Sequence, residues 1–141
     1  MKKIYLNLSF LMVLAAMLLA SCSKKDETFI DGRDQYVATY LVNETYNTNG
    51  ITHYSKPYSM TITNSVQDSN VIILSNFAGY GVGYFVKAEV SGNKFVFPKQ
   101  AIGTRCFCGS GSLSNGNLSF TYQESCIEII LWNVTATATK Q

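Results

Sequence analysis

Four cysteines carry the most distinctive chemistry in this sequence, and three of them, Cys106, Cys108 and Cys126, lie in its second half. Cysteine thiolates bind zinc, but structural zinc sites use a Cys-x2-Cys spacing and four ligands. Here one residue separates Cys106 from Cys108, and a fourth ligand is missing unless His53 supplies it. The spacing therefore predicts no metal site, and three cysteines allow one disulfide with one thiol left over.

The other reactive side chains form no recognisable catalytic pattern. His53 is the only histidine, and we interpret it as an exposed residue of a polar loop. No serine lies in a nucleophile elbow. The acidic residues lack a paired spacing typical of glycosidases, although a pair distant in the sequence is left open. The glycines of residues 79–83 lead into a predicted strand. A phosphate-binding glycine loop leads into the N-terminus of a helix, so these glycines do not predict a phosphate site. We therefore expect neither an enzyme nor a cofactor.

The N-terminal segment has the layout of a secretory signal peptide. Lys2 and Lys3 precede a nearly continuous apolar run over residues 4–20, and small residues follow at its end. The run is at the short end of what a membrane-spanning helix needs, so a permanent transmembrane anchor is the less favoured alternative. The sequence predicts that residues 1–21 are a signal peptide.

The segment Leu19-Ala20-Ser21-Cys22 resembles a bacterial lipobox. The resemblance implies that Cys22 carries a diacylglycerol and becomes the first residue of the mature protein, and several acyl chains anchor a protein stably. Residues 22–34 are then the lipidated cysteine and a polar tether. The tether does not resemble an inner-membrane retention signal and is similar to the charged export tags of Bacteroidetes lipoproteins. We expect a lipid-anchored outer-membrane protein, and the side of that membrane is left open.

Removal of residues 1–21 leaves 120 of the 141 residues, which suffices for one domain with a sizeable core. Lys2 and Lys3 account for the net charge of +2, so the mature chain has nine basic and nine acidic residues. Its only basic pair is Lys24-Lys25. This balance gives no reason to expect a nucleic-acid partner.

Period-two alternation dominates the sequence from residue 35 onwards, which is typical of half-buried strands. In residues 58–63 and 118–122, for example, large apolar side chains alternate with serine and threonine. The predicted strands cover residues 36–42, 58–63, 71–74, 82–90, 95–97, 107–113, 118–122 and 127–139. No segment has a convincing helical period, and at most one helical turn fits within residues 76–80.

Short turn signals separate these strands, and Asn115-Gly116 is the strongest because both residues tolerate the positive φ of a type I′ hairpin. Short connections make successive strands neighbours. Eight strands in this meander order close well into a barrel, which removes exposed edges. The sequence predicts that residues 35–141 form an all-β, closed, lipocalin-like barrel of about eight antiparallel strands. A two-sheet β-sandwich is the alternative.

The Asn115-Gly116 hairpin also predicts a register. Leu113 should face Leu118, and Gly111 and Gly109 should face aromatic rings. The glycines either make room for these rings or permit the sharp coiling of a small barrel.

The same register places Cys106 and Cys108 on the opposite face, with Cys126 near Cys106. Because the predicted compartment is oxidising, we expect a Cys106–Cys126 disulfide, with Cys108–Cys126 as the alternative. A Cys106–Cys108 bond within one strand would be strained.

Residues 73–81, Ile-Leu-Ser-Asn-Phe-Ala-Gly-Tyr-Gly, and residues 109–118, Gly-Ser-Gly-Ser-Leu-Ser-Asn-Gly-Asn-Leu, are similar to stretches of small Bacteroidetes lipoproteins with a lipocalin-like barrel. The resemblance spans residues 33–140. It implies the fold and the location, and it supplies no catalytic residue.

Aromatic side chains are the best candidates for a ligand site. Tyrosine and tryptophan offer apolar faces with polar tips, which suits a small hydrophobic or sugar-like ligand. The residues predicted to line the barrel mouth are Tyr40, Tyr84, Phe120, Tyr122 and Trp132. Arg105 could add a charged contact at the same end. The first expectation is therefore a non-catalytic binding module.

A structural or interaction protein is the alternative, because the side chains of a small eight-stranded barrel can fill it completely. Residues 43–56 form the longest predicted connection that carries tyrosines. In this alternative, Tyr46, His53 and Tyr54 present a surface to a partner protein or glycan.

Overall fold

The computed structural model describes residues 31–126 and 129–141, without the side chains of residues 126 and 129–131. The predicted signal peptide, Cys22 and the tether up to residue 30 lie outside the described residues. The strands are β1 (Ala38–Thr48), β2 (Ile51–Tyr54), β3 (Tyr58–Asn64), β4 (Val71–Ser75), β5 (Phe85–Ser91), β6 (Lys94–Ile102), β7 (Arg105–Ser114), β8 (Asn117–Cys126) and β9 (Ile129–Lys140). In this part of the chain no helix is long and apolar enough to cross a membrane.

The strands form one closed antiparallel barrel. From β3 to β9 each strand pairs with the next in the chain, and β9 pairs with β1. β2 and β3 follow one another along the same edge of β1, with Thr45 facing Tyr54 and Val42 facing Tyr58. β2 and β3 together fill one position next to β1, so the nine strands form a barrel with eight strand positions. The predicted all-β meander barrel is confirmed, and the sandwich alternative is wrong because pairing of β1 with β9 closes the sheet.

The segment 43–56, predicted as a long loop, is mostly a β-hairpin. β1 continues to Thr48, Asn49 and Gly50 form the turn with φ of 53° and 80°, and β2 returns along β1. An Asn-Gly pair with two positive φ values is a preferred two-residue hairpin turn. The long-loop prediction was wrong because threonine and tyrosine favour strands even where polar residues interrupt the alternation.

The two short 3-10 helices are Asp34–Tyr36 and Phe77–Gly79. The second confirms the helical turn predicted within residues 76–80. The first differs from the sequence prediction, which placed Tyr36 in a strand. Tyr36 is nevertheless fully buried, and its hydroxyl donates a 3.0 Å hydrogen bond to the Gly92 carbonyl.

Residues 31–34, predicted as part of the tether, are held against the barrel. The Arg33 guanidinium pairs with Asp31 and donates hydrogen bonds to the backbone carbonyls of Ser65, Asp68 and Val71. These partners lie 32 to 38 residues further along the chain. A polar stretch in the sequence could not reveal them.

The predicted β7–β8 register is confirmed, with Leu113 facing Leu118 and Gly111 facing Phe120. A Cβ atom on Gly109 would lie 2.6 Å from the Phe97 ring, and one on Gly111 would lie 2.5 Å from the Phe95 ring. The two glycines therefore make room for aromatic rings.

Aromatic side chains fill the barrel interior. Phe77, from the β4–β5 connection, has its ring centroid 5.4 Å from those of both Phe97 and Phe107. The largest fully buried aromatic residues are Tyr36, Tyr40, Phe77, Phe95, Phe97, Phe107 and Phe120.

Candidate functional site

The alternation that fills the barrel also places two carboxylates near one end of it. Glu44 occupies the inward position after Val42 on β1, and Glu124 the inward position after Tyr122 on β8. Only 5% of Glu44 and 3% of Glu124 is exposed. We call this end, which the β4–β5 connection of residues 76–84 covers, the mouth.

Glu44 is held by two tyrosine hydroxyls. Tyr58 Oη donates to Glu44 Oε1 at 2.6 Å, and Tyr122 Oη donates to the same oxygen at 2.9 Å. The other oxygen, Oε2, accepts no hydrogen bond from the described residues. One half of this buried carboxylate is therefore satisfied by the protein, and the other half is open to a ligand.

Glu124 is held by a cation and a hydroxyl. The Arg105 guanidinium forms an ion pair with Glu124 Oε1, and Tyr80 Oη donates to the two carboxylate oxygens at 2.9 and 3.1 Å. The guanidinium carbon of Arg105 lies 4.4 Å from the centroid of the Tyr80 ring. The arginine is thus both paired with a carboxylate and stacked on an aromatic face.

Burial raises the pKa of Glu44, and the charge of Glu124 raises it further. The hydrogen bonds from Tyr58 and Tyr122 act in the opposite direction because they stabilise the carboxylate. The net direction is upward, so burial outweighs the two hydroxyls. Glu44 therefore holds a proton more readily than an exposed glutamate does.

The tyrosines of the site remain protonated at neutral pH. Burial raises the pKa of Tyr58 and of Tyr122, and the charge of Glu44 adds to both effects. Burial, together with the hydrogen bond to Glu124, raises the pKa of Tyr80 to about 12. All three hydroxyls therefore act as hydrogen-bond donors and not as bases.

A cavity of about 230 Å³ opens at the mouth, lined by both carboxylates. Aromatic rings form much of its wall, and those of Tyr46 and Trp132 meet edge to face at 4.8 Å. The aromatic residues that line it are Tyr46, Tyr80, Tyr122 and Trp132. Ligand pockets usually measure about 300–1,000 Å³, so this cavity suits a very small molecule or one group of a larger one.

The β4–β5 connection holds an unusual backbone conformation. Asn76 and Ala78 have φ of 61° and 55°, in the left-handed region that non-glycine residues seldom adopt. The Asn76 side chain donates to the Ser59 carbonyl at 2.6 Å and accepts from the Gly81 amide at 2.7 Å. These bonds hold the turn that directs Phe77 into the barrel and brings Tyr80 to Glu124.

The structure places the predicted ligand-binding residues in two regions, the mouth and the core. Tyr122 and Trp132 line the mouth cavity. Tyr84 is half-buried beside it, with its ring 5.2 Å from that of Tyr80. Tyr40 and Phe120 lie in the core, because their inward positions fall deeper along β1 and β8.

The three residues of the predicted partner surface do not lie on one surface. Tyr46 stacks on His53 with ring centroids 5.1 Å apart, and it belongs to the cavity wall. Tyr54 is 80% exposed and points away from the barrel. His53 therefore supports a ring of the cavity, and Tyr54 belongs to the outer surface.

Sequence reasoning missed Glu44, Glu124, Tyr58 and Tyr80 as parts of one site. A signal was present, because each glutamate extends an inward-facing apolar series by one more alternate position. A charged residue at an inward-facing position is a candidate site residue. Arg105, expected at the same end, is the residue that binds Glu124.

The cysteine predictions stand only in part. Cys106 and Cys108 occupy alternate, half-buried positions of β7 on the face opposite Phe107, as the register predicted, and no bond joins them. Cys106 pairs along the backbone with Ser125, the residue before Cys126. The Cys126 side chain lies outside the described residues, so both disulfide alternatives remain predictions. Among the side chains that are described, no three histidine, cysteine, aspartate or glutamate residues cluster as metal ligands would.

A comparison of the chain with protein-family models finds no match, and neither does a comparison with curated proteins.

Proposed function

We propose that this protein is a lipid-anchored binding module of the bacterial cell envelope, and that the mouth cavity holds its ligand. The observation that carries the proposal is the pair of buried glutamates around one cavity, with Glu44 Oε2 accepting no hydrogen bond from the described residues. This oxygen is not fully buried and is accessible from the cavity that Glu44 lines. A ligand with a hydrogen-bond donor could therefore bind it there.

The filled interior favours a small polar ligand over a hydrophobic one. Phe77, Phe97 and Phe107 occupy the space that an apolar ligand would need. The mouth instead combines carboxylates with tyrosine and tryptophan rings, which are the groups that recognise sugar-like or charged polar molecules. The binding function therefore belongs to the end of the barrel.

The contacts of the site support a binding role. The hydroxyls of Tyr58, Tyr80 and Tyr122 each donate to a carboxylate, and Glu124 is held between Arg105 and Tyr80. These contacts fix the side chains before a ligand arrives, which lowers the entropic cost of binding.

The anchor part of the proposal rests on the lipobox-like segment ending at Cys22. A tether of residues 23–30 spans at most roughly 30 Å when fully extended. The barrel would therefore stay close to the surface of the outer membrane. The full chain should incorporate a labelled fatty acid, whereas a Cys22→Ala variant should not. A full chain that incorporates no fatty acid would contradict the anchor.

The ligand part is tested by native mass spectrometry of the full chain, expressed in bacteria and released gently into a non-ionic detergent. We expect an additional non-covalent mass that denaturation removes. A Glu44→Ala variant should lose this mass, and Glu89→Ala, which removes an exposed glutamate of β5, should retain it. Equal retention by both variants would place the bound molecule away from the mouth.

An interaction surface is the second candidate, favoured by large exposed apolar side chains beside the mouth. Ile51, Tyr54 and Val82 are 62%, 80% and 87% exposed. If this surface binds an envelope protein or glycan, Tyr54→Ser should abolish capture of the partner without loss of stability. Tyr46→Ser is the informative contrast, because it removes a packed ring of the cavity wall and should lower stability as well.

A further inference from the structure

We propose that the ligand of the mouth cavity is a small organic cation, which presents an ammonium or guanidinium group to Glu44. The inference rests on the proposed binding function and names the chemical class of the ligand. It is drawn from the contrast between the two glutamates of the cavity.

The first step concerns charge. Two ion pairs occur among the described residues, Arg33 with Asp31 and Arg105 with Glu124, and neither includes Glu44. Glu44 shares the cavity with a second carboxylate and receives only neutral hydroxyl donors. Burial of a carboxylate without a cation is unfavourable, and a nearby like charge makes it more so. Among the described residues, one cation, Arg105, therefore accompanies the two carboxylates of the cavity.

The second step is that the chain itself contains the arrangement by which a carboxylate of this cavity binds a cation. At Glu124, a guanidinium binds the carboxylate and lies 4.4 Å from the centre of the Tyr80 ring. Carboxylate pairing combined with an aromatic face is how proteins recognise ammonium and guanidinium groups. Arg105 thus acts as an internal ligand for one half of the mouth.

The third step is that the other half offers the same groups without a cation. Glu44 lines the cavity together with the rings of Tyr46 and Trp132, which pack against each other at 4.8 Å. The His53 ring stacks on the Tyr46 ring and holds it in place. The half around Glu44 therefore has a carboxylate and aromatic rings, as the half around Glu124 has.

The fourth step concerns hydrogen bonding. A sugar hydroxyl both donates and accepts, so a neutral sugar needs donors as well as acceptors. The hydroxyl donors of Tyr58 and Tyr122 are already committed to Glu44 Oε1. The free oxygen Oε2 is an acceptor, and an ammonium group is a donor only. Tyr46, Ser55 and Trp132 also line the cavity and carry donors, so the preference for a cation comes from the charge of Glu44 and the aromatic rings around it.

Binding should depend on pH because the cation requires ionised Glu44. The groups that face Glu44 are Tyr58 from β3, Tyr122 and Glu124 from β8, Tyr80 from the β4–β5 connection and, through Glu124, Arg105 from β7. Of these, Glu124 is already bound to Arg105, and the tyrosines stay protonated at neutral pH. Affinity should therefore fall as pH is lowered through the pKa of Glu44.

Trp132 provides the readout, because it is the only tryptophan of the chain and lines the cavity. The full chain, purified in a non-ionic detergent, is titrated with n-butylammonium and n-butylguanidinium. The neutral probes are 1-butanol, which has the same chain length, and methyl β-D-glucoside. We expect saturable fluorescence changes with the cations at neutral pH, and binding of the neutral probes weaker by about tenfold or more.

The matched variants are Glu44→Gln and Glu89→Gln. Each removes one carboxylate charge, but Glu89 is exposed on β5, away from the mouth. Glu44→Gln should weaken cation binding by about tenfold or more, since one partner of a desolvated charge pair is lost, and Glu89→Gln should leave it unchanged. Glutamine keeps the shape of Glu44 and its acceptor for the two tyrosines, so the fold should survive.

The outcomes separate this inference from the proposed function. Cation binding that is lost in Glu44→Gln and kept in Glu89→Gln supports both. Saturable glucoside binding without a cation response overturns the cation inference and leaves the binding module standing. Cation binding that is equal in both variants also overturns the inference, because it would not use Glu44. No saturable response to any probe counts against the mouth cavity as a binding site, and so against both.

Discussion

At the residue scale, Glu44 and Glu124 are the same amino acid in two different environments. Glu124 is neutralised by Arg105, whereas Glu44 is held by the neutral hydroxyls of Tyr58 and Tyr122. An ion pair compensates the charge of a buried carboxylate, and a hydroxyl compensates only its hydrogen bonding. This difference leaves Glu44 without an ion pair among the described residues, and burial raises its pKa.

Replacement of Glu44 by glutamine should stabilise the unliganded protein at neutral pH. The folded-state pKa of Glu44 lies above its ordinary value of 4.5, because burial disfavours the charged form. The unfolded chain therefore loses its proton first as pH rises. The native protein loses stability from pH 4.5 upwards through the folded-state pKa. Glutamine, which does not ionise, avoids this loss.

Urea denaturation across this pH range measures the effect. The gain from Glu44→Gln should be smallest near pH 4.5 and should grow as pH rises. Glu89→Gln, at an exposed position, should change the free energy of unfolding by no more than about 0.5 kcal/mol at any pH. A gain from Glu44→Gln that shrinks with rising pH would contradict the upward shift of its pKa.

At the element scale, β7 is shaped by two glycines that face the interior. Gly109 and Gly111 alternate with outward residues, and each lies under a phenylalanine ring of β6. Their missing side chains allow Phe95 and Phe97 to extend over β7, where Phe95 meets Phe120 from β8 and Phe97 meets Phe77 from the β4–β5 connection. The filling of the barrel interior by aromatic rings therefore depends on the absence of side chains at Gly109 and Gly111.

Gly109→Ala and Gly111→Ala should each destabilise the barrel by about 1–3 kcal/mol, as overpacking of a core does. An added methyl at Gly109 would lie 2.3 Å from the Thr121 carbonyl oxygen, and one at Gly111 would lie 2.4 Å from Phe120 Cβ. Neither obstacle is a flexible side-chain end. Thermal and urea denaturation of the two variants measure the loss.

Gly83→Ala is the matched control, because nothing lies within 4 Å of a Cβ at that position and its φ is not in the left-handed region. It should change stability by about 0.5 kcal/mol or less. If Gly111→Ala were as harmless as Gly83→Ala, the close approach of β7 to the phenylalanines would be wrong.

At the scale of the whole molecule, closure through β1 and β9 assembles the site. β9 lies between β1, which carries Glu44, and β8, which carries Glu124. Without the β1–β9 pairing, Tyr122 could not reach Glu44, which is 78 residues away in sequence. The mouth is therefore a property of the closed barrel and not of any hairpin in it.

Proline at position 137 should open the barrel. Thr137 is exposed and lies mid-strand in β9, paired with Asn43 on one side and Ser119 on the other. Proline lacks the N–H that the ladder uses, and it is tolerated in sheets only at edges or bulges. We expect a loss of on the order of 3 kcal/mol or more, with self-association because strand edges become exposed.

Thr137→Val keeps the N–H and the β-branched shape, so it should fold and remain monodisperse like the original chain. Urea denaturation and light scattering compare the two variants. Stable, monodisperse Thr137→Pro would mean that β9 does not close the barrel through this part of its length.

The architecture was predictable because its causes are local. Period-two alternation, the Asn115-Gly116 turn and short connections each act within a few residues, and together they specify a meander barrel and its β7–β8 register. The β2 strand was missed because polar residues interrupt the alternation that would reveal its pairing. The packed segment around Arg33 was missed because its hydrogen-bond partners lie more than 30 residues away in the sequence.

The sequence by itself predicted an all-β domain over residues 35–141, the alternation of inward and outward side chains along its strands, and the position of Arg105 near one end of the barrel. Only the tertiary structure decided that the interior is filled, that Tyr40 and Phe120 lie below the mouth, and that Glu44 meets Tyr58 and Tyr122. The physical reason is that strand periodicity arises from neighbouring residues, whereas burial of a charge depends on which strands close around it. The two glutamates acquire different surroundings only when β9 joins β8 to β1.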